Sequence, residues 1–334
     1  MSESAATLAQ VAAHAGVSLA TASRALNGST RKVNAELQHR VLASAAALGY
    51  SANVQAQAVA RGTSNTVAIV VGDIADPYFS SIASGVIRVA DERGLIVTLT
   101  ATGADAAREA ATLVALKGQR PRVVILAGSR HLDAVGAPGG SAAELIAIER
   151  GGARVALIGA AAPGLRSVPV QNREGAASLA RALVQLGYAD FLVLGGPENL
   201  LTARDRVSGF LDIVPDARVV PGAFSRDGGY ETMAALLAAG ERPGCVFAVT
   251  DVMALGAMAA MRDAGLTPGA DIAVAGFDDI PLVQDVTPSL TTVALPLAEI
   301  GARALELALA DSPEADSRLA EPFAGTVALR ASTP

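Results

Sequence analysis

After residue 64 the chain alternates between short, strongly apolar runs rich in β-branched residues and longer segments with helical spacing. Buried parallel strands are typically continuous apolar runs, and a helix usually joins each strand to the next. The runs that we interpret as strands are Thr66–Val71, Leu95–Thr100, Val123–Leu126, Val155–Ile158, Phe191–Leu194, Cys245–Val249 and Ile272–Ala275. Helices are predicted at Tyr78–Arg93 and at about 105–117, 173–186, 202–212, 227–239 and 252–264. The alternation predicts an α/β fold with parallel sheets, and this many strands favour two similar lobes over one sheet.

Composition excludes several classes of protein. Charged residues make up 17% of the 334 residues and hydrophobic residues 51%, a balance that disfavours disorder. There is no uninterrupted apolar run of 18 residues, and the first residues lack a basic region followed by an apolar stretch. We therefore expect no membrane span and no secretory signal, and hence a cytoplasmic protein. The segment 128–153, rich in glycine and alanine, predicts a loop and one weak helix.

The chain has few residues that could bind a metal or form a disulfide. Cys245 is the only cysteine, which excludes an internal disulfide and a thiolate-rich metal site. His14, His39 and His131 lie far apart, without the close spacing of a zinc site. We expect no metal and no cofactor.

The formal net charge of −6 hides an asymmetry along the chain. Residues 1–62 contain five basic side chains and two acidic ones, whereas the remainder contains 21 basic and 30 acidic side chains. A basic head on an acidic body is typical of a polyanion-binding module attached to a second domain. Because the excess charge of the head is small, strong binding to DNA would require heads to act in pairs.

The basic head begins with a helix-start pattern. Thr7 and Gln10 have the spacing of a capping box, in which each side chain satisfies a backbone amide at the start of a helix. Apolar residues follow at helical spacing, and Gly16 is a natural stop. The pattern predicts a first helix that ends at this glycine.

Two more helices follow in the head. Ser18 is placed to cap a helix that runs to about Leu26, and Asn34 to cap another that Gly49 and Tyr50 close. Two short helices joined by a glycine turn, with a third to cover them, predict a helix-turn-helix domain. A generic small helical domain is the alternative that the pattern alone leaves open.

The individual residues of the head help to distinguish a helix-turn-helix domain from a generic small helical domain. The relevant stretches are Thr7-Leu8-Ala9-Gln10-Val11-Ala12, Ala15-Gly16-Val17-Ser18, Thr21-Ala22-Ser23-Arg24-Ala25-Leu26-Asn27-Gly28, Leu48-Gly49-Tyr50 and Asn53. Together they closely resemble the head of the lactose-repressor/galactose-repressor (LacI/GalR) family. The resemblance implies a helix-turn-helix headpiece at 1–52 and a hinge helix or linker at 53–63 that binds operator DNA.

The resemblance implies which head residues contact DNA. Leu19, Ala20 and Arg24 would face base edges, where an arginine can contact guanine through two hydrogen bonds. The short polar side chains of this helix are suited to contacts with phosphate oxygens, and simple helix solvation is the alternative for Thr21 and Ser23. The polar set comprises Ser18, Thr21, Ser23 and Asn27. In the hinge, Asn53, Ala56 and Val59 would contact DNA, with Val59 as a wedge in the minor groove. A flexible tether without DNA contacts is the alternative for this segment.

The body resembles the effector domain of the same family, which is similar to periplasmic sugar-binding proteins. The matching motifs are Asp73-Ile74-Ala75-Asp76-Pro77-Tyr78-Phe79, Gly195-Gly196-Pro197, Arg206-Val207-Ser208-Gly209-Phe210, Thr250-Asp251-Val252-Met253-Ala254-Leu255-Gly256, Gly276-Phe277-Asp278-Asp279 and Leu290-Thr291-Thr292-Val293. The resemblance implies a two-lobed, periplasmic-binding-protein-like domain. Its first lobe would hold 64–165 and 293–322, and its second lobe 166–292 and 323–334.

Several of these motifs follow strands, and open α/β sheets bind ligands at the carboxyl ends of their strands. This rule places Asp76, Tyr78, Phe79, Thr250 and Asp278 at a ligand cleft. The resemblance implies that Thr202, Arg206, Thr250 and Asp278 line the cleft, with Phe224 as an aromatic wall. Carboxylates and guanidinium groups suit sugar hydroxyls, and aromatic rings cover the apolar face of a sugar. A turn at Asp76 and a structural ion pair at Arg206 are alternatives, and Asp251 is expected to be a helix N-cap.

We therefore expect a transcriptional regulator, more specifically a repressor, that binds a pseudo-palindromic DNA operator as a homodimer or tetramer. A small effector, a sugar or sugar derivative, would bind between the lobes and change operator affinity. The alternative is a periplasmic-type solute-binding protein without DNA function. An enzyme is disfavoured, since no phosphate-binding glycine motif and no Ser/His/Asp set is present.

Overall fold

The computed structural model describes residues 6–27, 33–50, 64–128, 140–159, 164–310 and 320–334. The chain divides into two compact units, Met1–Ser64 and Asn65–Pro334. The hinge segment 53–63, with Asn53, Ala56 and Val59, lies outside the described residues. No described helix has the length and apolar character needed to cross a membrane.

The first unit contains three helices, which we number α1 (Leu8–Ala15), α2 (Leu19–Asn27) and α3 (Ala35–Ala47). The capping box is present, because Thr7 N donates to Gln10 Oε1 at 2.8 Å while Gln10 N donates to Thr7 Oγ1 at 3.3 Å. Gly16 ends α1 in the left-handed region, at φ +62°. The Ser18 and Asn34 side chains accept from backbone amides at the starts of α2 and α3. The predicted helices and their caps are confirmed.

A small apolar core holds these helices together. It consists of Val11, Ala12, Ala15, Ala22, Ala25, Val41 and Ala45. Arg40 on α3 donates through Nη2 to the carbonyl of Ala15 at 2.9 Å. A cation at the carboxyl end of α1 satisfies a carbonyl that the helix leaves without a partner. The contact fixes the turn that positions α2.

The second unit begins with a five-stranded parallel sheet in the order β2-β1-β3-β4-β5. The elements are β1 (Thr66–Val71), α4 (Pro77–Glu92), β2 (Ile96–Ala101), α5 (Ala106–Gln119), β3 (Val123–Ala127), α6 (Ser141–Arg150), β4 (Arg154–Ile158) and β5 (Arg166–Val168). Strands β1 and β3 are almost completely buried, as expected of a parallel sheet covered on both faces. We call this sheet and its helices the first lobe. The helix expected within 128–153 is α6.

A four-stranded parallel sheet in the order β7-β6-β8-β9 forms the second lobe. Its elements are α7 (Asn172–Gln185), β6 (Phe191–Leu194), α8 (Leu201–Leu211), β7 (Arg218–Val220), α9 (Arg226–Ala238), β8 (Cys245–Ala248), α10 (Asp251–Asp263) and β9 (Ala273–Ala275). The core includes the stacked rings of Phe210 and Phe247, with centroids 4.8 Å apart. The prediction of parallel α/β sheets is confirmed.

The chain then returns to the first lobe. A short helix at Pro281–Gln284 leads to β10 (Thr292–Ala294), α11 (Leu297–Leu309) and β11 (Thr326–Ala328). Strands β10 and β11 pair antiparallel, and α11 packs against α4. The carboxyl-terminal residues return to the second lobe, where Val274 N donates to the carbonyl of Ser332 at 2.9 Å.

One expected boundary requires correction. The second lobe was expected to begin at residue 166, but Arg166–Val168 is β5 and pairs with β4 of the first-lobe sheet. The chain therefore leaves the first sheet after Val168. The strand is only three residues long, too short for a periodic pattern to reveal which sheet it extends.

Candidate functional sites

A cavity lies between the carboxyl ends of the two sheets, with walls from both lobes. All eight residues expected in a ligand cleft line it, namely Asp76, Tyr78, Phe79, Thr202, Arg206, Phe224, Thr250 and Asp278. Gly128, Ile158, Gly159, Val170 and Asn172 also line it and were not predicted. The cavity has a volume of about 40 Å³, and we call it the inner cavity. Its position agrees with the rule that open α/β sheets bind ligands beyond their strand ends.

Arg206 on α8 is the centre of a buried hydrogen-bond network. Its Nη2 donates to Asp278 Oδ1 at 2.7 Å, and its Nε donates to Asn172 Oδ1 at 2.9 Å. Its Nη1 donates to the carbonyl of Val249 at 2.7 Å. The guanidinium also lies 3.9 Å from the centroid of the Phe277 ring, within the range of a cation–π contact.

This network makes Arg206 a positioning residue. Its side chain is 3% exposed and that of Asp278 is 4% exposed, so the pair is a buried ion pair. The guanidinium is held by protein groups on all three nitrogens, and it fixes the carboxylate of Asp278 at the cavity wall. Burial raises the pKa of Asp278 above its ordinary value, and the positive charge of Arg206 opposes that rise.

The backbone of Asp278 has an unusual conformation for a residue with a side chain. Its φ angle is +119°, a region that non-glycine residues rarely adopt. Asp278 N donates to the carbonyl of Val293 at 2.9 Å, and Leu295 N donates back to the carbonyl of Asp278 at 3.3 Å. The returning segment at β10 thus holds Asp278 in a strained conformation. Such strain persists where surrounding structure enforces it and is common at ligand sites.

Two other cavity residues sit at helix N-termini. Asp76 caps α4 by accepting from Tyr78 N at 2.9 Å, and Thr250 caps α10 by accepting from Met253 N at 3.3 Å. A capping side chain is held in one orientation by the backbone it satisfies. Burial raises the pKa of Asp76 above its ordinary value. Asp76 therefore both forms the expected turn and lines the cleft.

The expectation that Asp251 is a helix N-cap is wrong, because the preceding Thr250 is the cap. Asp251 is completely buried, accepts from Thr292 Oγ1 at 2.6 Å and accepts from Ile280 N at 2.9 Å. Burial raises its pKa to about 7. Asp251 thus ties α10 to the returning strand β10. Its partners lie about 30–40 residues away in sequence, so no local pattern indicates the role.

Two phenylalanine rings face the cleft, one from each lobe. The Phe79 ring lies against Gly72 at the end of β1, where an added Cβ would approach within 3.4 Å of the ring. Phe224 lies against Gly196, where an added Cβ would be 2.8 Å from the ring, closer than side chains tolerate. Tyr78 packs edge-on against Phe79 with centroids 5.1 Å apart. Glycines at the strand ends therefore leave room for aromatic walls.

In the first unit, helix α2 presents one face to solvent. Leu19, Ala20 and Arg24 are exposed on it, and Leu19 is 54% exposed although it is apolar. Ser18 is exposed and its Oγ lies 2.8 Å from Thr21 Oγ1, while Thr21 and Ser23 are half-buried. Asn27 is the last residue of the helix. The structure therefore puts the three residues expected at base edges on a solvent-facing surface.

Asn172 is the functional candidate that the sequence analysis missed. It begins α7, is buried, and accepts from Arg206 through Oδ1. The preceding Gln171 makes no side-chain cap bond. The signal available in the sequence was an asparagine at a helix start, which is usually a cap and so indicates no ligand. Among the described residues, no cluster of three or more His, Cys, Asp or Glu could hold a metal.

Comparison with known families identifies both units. The family described as "Bacterial regulatory proteins, lacI family" matches residues 7–53, and "Periplasmic binding protein-like domain" matches residues 180–333. The chain is 30% identical over 314 residues to the HTH-type transcriptional regulator GalR of Escherichia coli K12, covering 91% of this chain and 89% of that protein. The chain belongs to the lacI family of bacterial regulatory proteins.

Other similar proteins agree with this assignment. The HTH-type transcriptional repressor CytR of Escherichia coli K12 is 31% identical over 317 residues, covering 92% of this chain and 90% of that protein. The lac repressor bound to ONPG matches with a TM-score of 0.79 at 25% identity, over 99% of this chain and 100% of that one. This lacI-family chain is a transcriptional regulator with a DNA-binding helix-turn-helix head and a periplasmic-binding-protein-like effector domain. The predicted family, fold class and regulatory function are confirmed.

Proposed function

We propose that this lacI-family regulator binds a pseudo-palindromic operator as a homodimer and releases or retains it according to a small effector in the inner cavity. The effector is a sugar or a molecule with sugar-like hydroxyls. Structures similar to this chain include a CelR–cellobiose complex and a family member with bound ribose. The observation that carries the proposal is the meeting of eight predicted residues, distant in sequence, around one cavity between two lobes.

The chemistry of the cavity supports hydroxyl recognition. Asp76 and Asp278 offer carboxylate oxygens, and Thr202 and Thr250 offer hydroxyl groups that both donate and accept. Burial raises the pKa of the Tyr78 phenol, so its hydroxyl stays protonated and available to donate. A hydrogen bond to a charged group contributes about 1.5–3 kcal/mol net, so a few such contacts give specificity.

The head supports operator recognition by α2. Arg24 is exposed and suited to a two-hydrogen-bond contact with guanine, and exposed Leu19 and Ala20 are suited to thymine methyl groups. We assign phosphate contacts to the polar side chains of the same helix, Ser18, Thr21, Ser23 and Asn27. Hinge contacts by Asn53, Ala56 and Val59 remain part of the proposal. Two heads on one operator supply the electrostatic attraction that a single weakly basic head lacks.

The lobes couple the two sites. An effector that contacts both lobes favours one arrangement of the lobes over another, and only such a difference in affinity can change operator binding. We propose a regulatory rather than catalytic role in the cytoplasm, where a DNA-binding regulator meets the chromosome. The homodimer, or a tetramer built from it, matches two heads to the two halves of the operator.

A two-part experiment tests this function. Selection of double-stranded DNA from a random pool should enrich a pseudo-palindrome, with binding that weakens steeply as salt rises. A thermal-shift screen of sugars, sugar acids, polyols and nucleosides should then find a stabilising compound, since a ligand at 100 times its Kd adds about 2.7 kcal/mol. Failure to retain any double-stranded DNA at low salt would contradict the proposal.

A further inference from the structure

The two edges of the first-lobe sheet carry opposite charges. At the carboxyl edge, Asp73 and Asp76 follow β1 and Asp105 follows β2. Five cations lie at the amino edge, and we call this set the basic edge. It comprises Lys117, Arg120, Arg122, Arg150 and Arg154. The basic edge contrasts with the body as a whole, which has 21 basic and 30 acidic side chains after residue 62.

The fold brings these five cations together. Arg122 precedes β3 and Arg154 begins the neighbouring β4, and Arg154 N donates to the carbonyl of Arg122 at 2.9 Å. Lys117 lies in the last turn of α5, and Arg150 ends α6. Both helices run toward the amino edge and pack against the same face of the sheet, so their carboxyl ends lie side by side. Arg120 lies between α5 and β3, so all five belong to one strip of surface.

Four of these cations are exposed and have no acidic partner in the described part of the chain. Lys117, Arg120, Arg122 and Arg150 form no ion pair there. The carboxylate next to Arg150 in sequence, that of Glu149, pairs with Arg166 instead. Neighbouring cations without counter-charges repel one another, and the binding of a polyanion relieves that repulsion.

Stabilisation of helix ends explains only part of the basic edge. Lys117 and Arg150 lie in last turns, where a cation interacts favourably with the helix dipole. Arg122 and Arg154 lie outside helices. Arg120 ends α5 at φ +49°, a left-handed conformation in which glycine is usual and an arginine is less stable. Conformation therefore does not account for an arginine at this position.

The place of the basic edge in the chain points to DNA as its partner. Arg122 N donates to the carbonyl of Thr66, the first residue of β1, at 2.9 Å. The chain therefore enters the body at this edge, after residues 51–63, which follow the helices of the DNA-binding head. A segment of this length reaches at most about 45 Å when fully extended. A head bound to its operator thus raises the local concentration of duplex around the basic edge.

We propose that the basic edge binds the phosphate backbone of the duplex that flanks the operator, as a DNA contact of the effector domain itself. The inference rests on the proposed function, because the head must first bring an operator to the molecule. The contact depends on phosphate charge and carries no base preference. It makes operator affinity depend on the length of the duplex.

Duplexes of two lengths test the inference with the full-length protein. The short duplex carries only the operator obtained by selection, and the long duplex adds about 15 base pairs of arbitrary sequence at each end. At about 3.4 Å for each base pair, this flank exceeds the reach of residues 51–63. Fluorescence anisotropy measures Kd as salt is varied around 0.1 M, where the Debye length is about 10 Å.

The long duplex should bind about tenfold or more tightly than the short one, whatever the sequence of the flanks. The slope of log Kd against log salt should be steeper on the long duplex by about 2, since each protomer of a dimer gains at least one phosphate contact. This comparison uses the wild type and does not depend on the folding of any variant.

Variants link the length effect to the basic edge. Replacement of Arg120, Arg122 and Arg150 together by glutamine should bring the ratio of short-duplex to long-duplex Kd close to one. Replacement of the same three by lysine keeps positive charges for phosphate and should retain most of the ratio. The control replaces three exposed arginines of the second lobe by glutamine, which removes the same charge elsewhere. They are Arg181, Arg204 and Arg262. The control should keep the wild-type ratio.

The outcomes separate this inference from the proposed function. If the two duplexes bind the wild type with equal Kd, the flanking contact is wrong while operator binding by the head stands. An acidic protein as the partner of the basic edge predicts this equality. Equal loss of the ratio in the glutamine variant and in the second-lobe control would show an effect of net charge alone and would also overturn the inference. If neither duplex binds, the proposed function is contradicted as well.

Discussion

Arg24 and Arg206 show how differently the two units of this molecule prepare for recognition. Arg24 is exposed on a helix whose orientation is fixed by local caps and a small core. Arg206 is buried, and its three nitrogens donate to Asp278, Asn172 and a backbone carbonyl. The head thus presents its side chains directly to DNA. The body uses its arginine to fix other groups around a cavity.

The contrast predicts different consequences of losing each arginine. Removal of an exposed side chain loses only the contacts it makes with a partner. Removal of a buried arginine leaves a buried carboxylate without its counter-charge, which affects the folded state itself.

Arg206→Met should destabilise the body by about 3–5 kcal/mol, since Asp278 remains buried without its charged partner. Chemical denaturation followed by fluorescence of the tyrosines or by circular dichroism measures the loss. Arg88→Met is the matched control, because Arg88 forms an exposed pair with Glu92 on one helix. Stability equal to that of this control would show that the buried network contributes little.

The raised pKa of Asp251 predicts that the stability of the body depends on pH. Its pKa is about 7 in the folded protein and near 3.8 when exposed, so the folded state holds a proton that the unfolded state releases between these values. The contribution of Asp251 to stability is therefore largest below pH 4 and is lost as the pH rises to about 7. The total loss is at most about 1.36 kcal/mol for each unit by which the folded pKa exceeds the unfolded pKa.

The test compares denaturation of the wild type and Asp251→Asn between pH 5 and pH 8. The variant loses a hydrogen bond at every pH, but the component of the slope that comes from Asp251 should disappear. Identical slopes in the two proteins would contradict a raised pKa at this position.

Arg24→Ala should relax base preference at one position of each operator half-site by about 1–3 kcal/mol without altering the stability of the head. Competition between operator variants measures the preference. Thr21→Val offers the comparison, since loss of a phosphate contact weakens binding to all sequences alike. A preference unchanged in Arg24→Ala would remove this side chain from base recognition.

Thr7→Ala should reduce the stability of the head by about 1 kcal/mol, because it removes the hydroxyl of the capping box. Thermal unfolding of a 1–64 fragment, if it retains the helical signal of the head, provides the measurement. Ala9→Ser, at an exposed position of the same helix, is the control for changing a small side chain. A smaller loss in Thr7→Ala than in this control would be inconsistent with the cap.

The head was predictable from sequence because its determinants are local. Caps at Thr7, Ser18 and Asn34 act on amides two or three residues away. The strands of the two sheets were predictable for a related reason, since long buried runs such as Thr66–Val71 are apolar throughout. Helix α11 was missed because the strand before it, β10, has only three residues and gives no apolar run long enough to indicate a further strand–helix unit.

The sequence predicted which residues line the site but not the contacts that these residues make. Family resemblance brought Arg206 and Asp278 to attention, but their roles depend on partners 34 and 72 residues away from Arg206. Asn172 gave no signal beyond that of a helix start. The inner cavity is lined by residues of both lobes, so no single stretch of sequence indicates it.

The central claim is that occupancy of the cleft changes operator affinity, and one measurement tests it directly. Operator Kd would be measured with and without a saturating effector in the wild type, in Asp278→Asn and in the control Asp285→Asn, whose carboxylate is exposed outside the cleft. The account predicts a shift of about 5- to 150-fold in the wild type and the control, and no shift in Asp278→Asn. An effector that binds the wild type without changing its operator affinity would contradict the account.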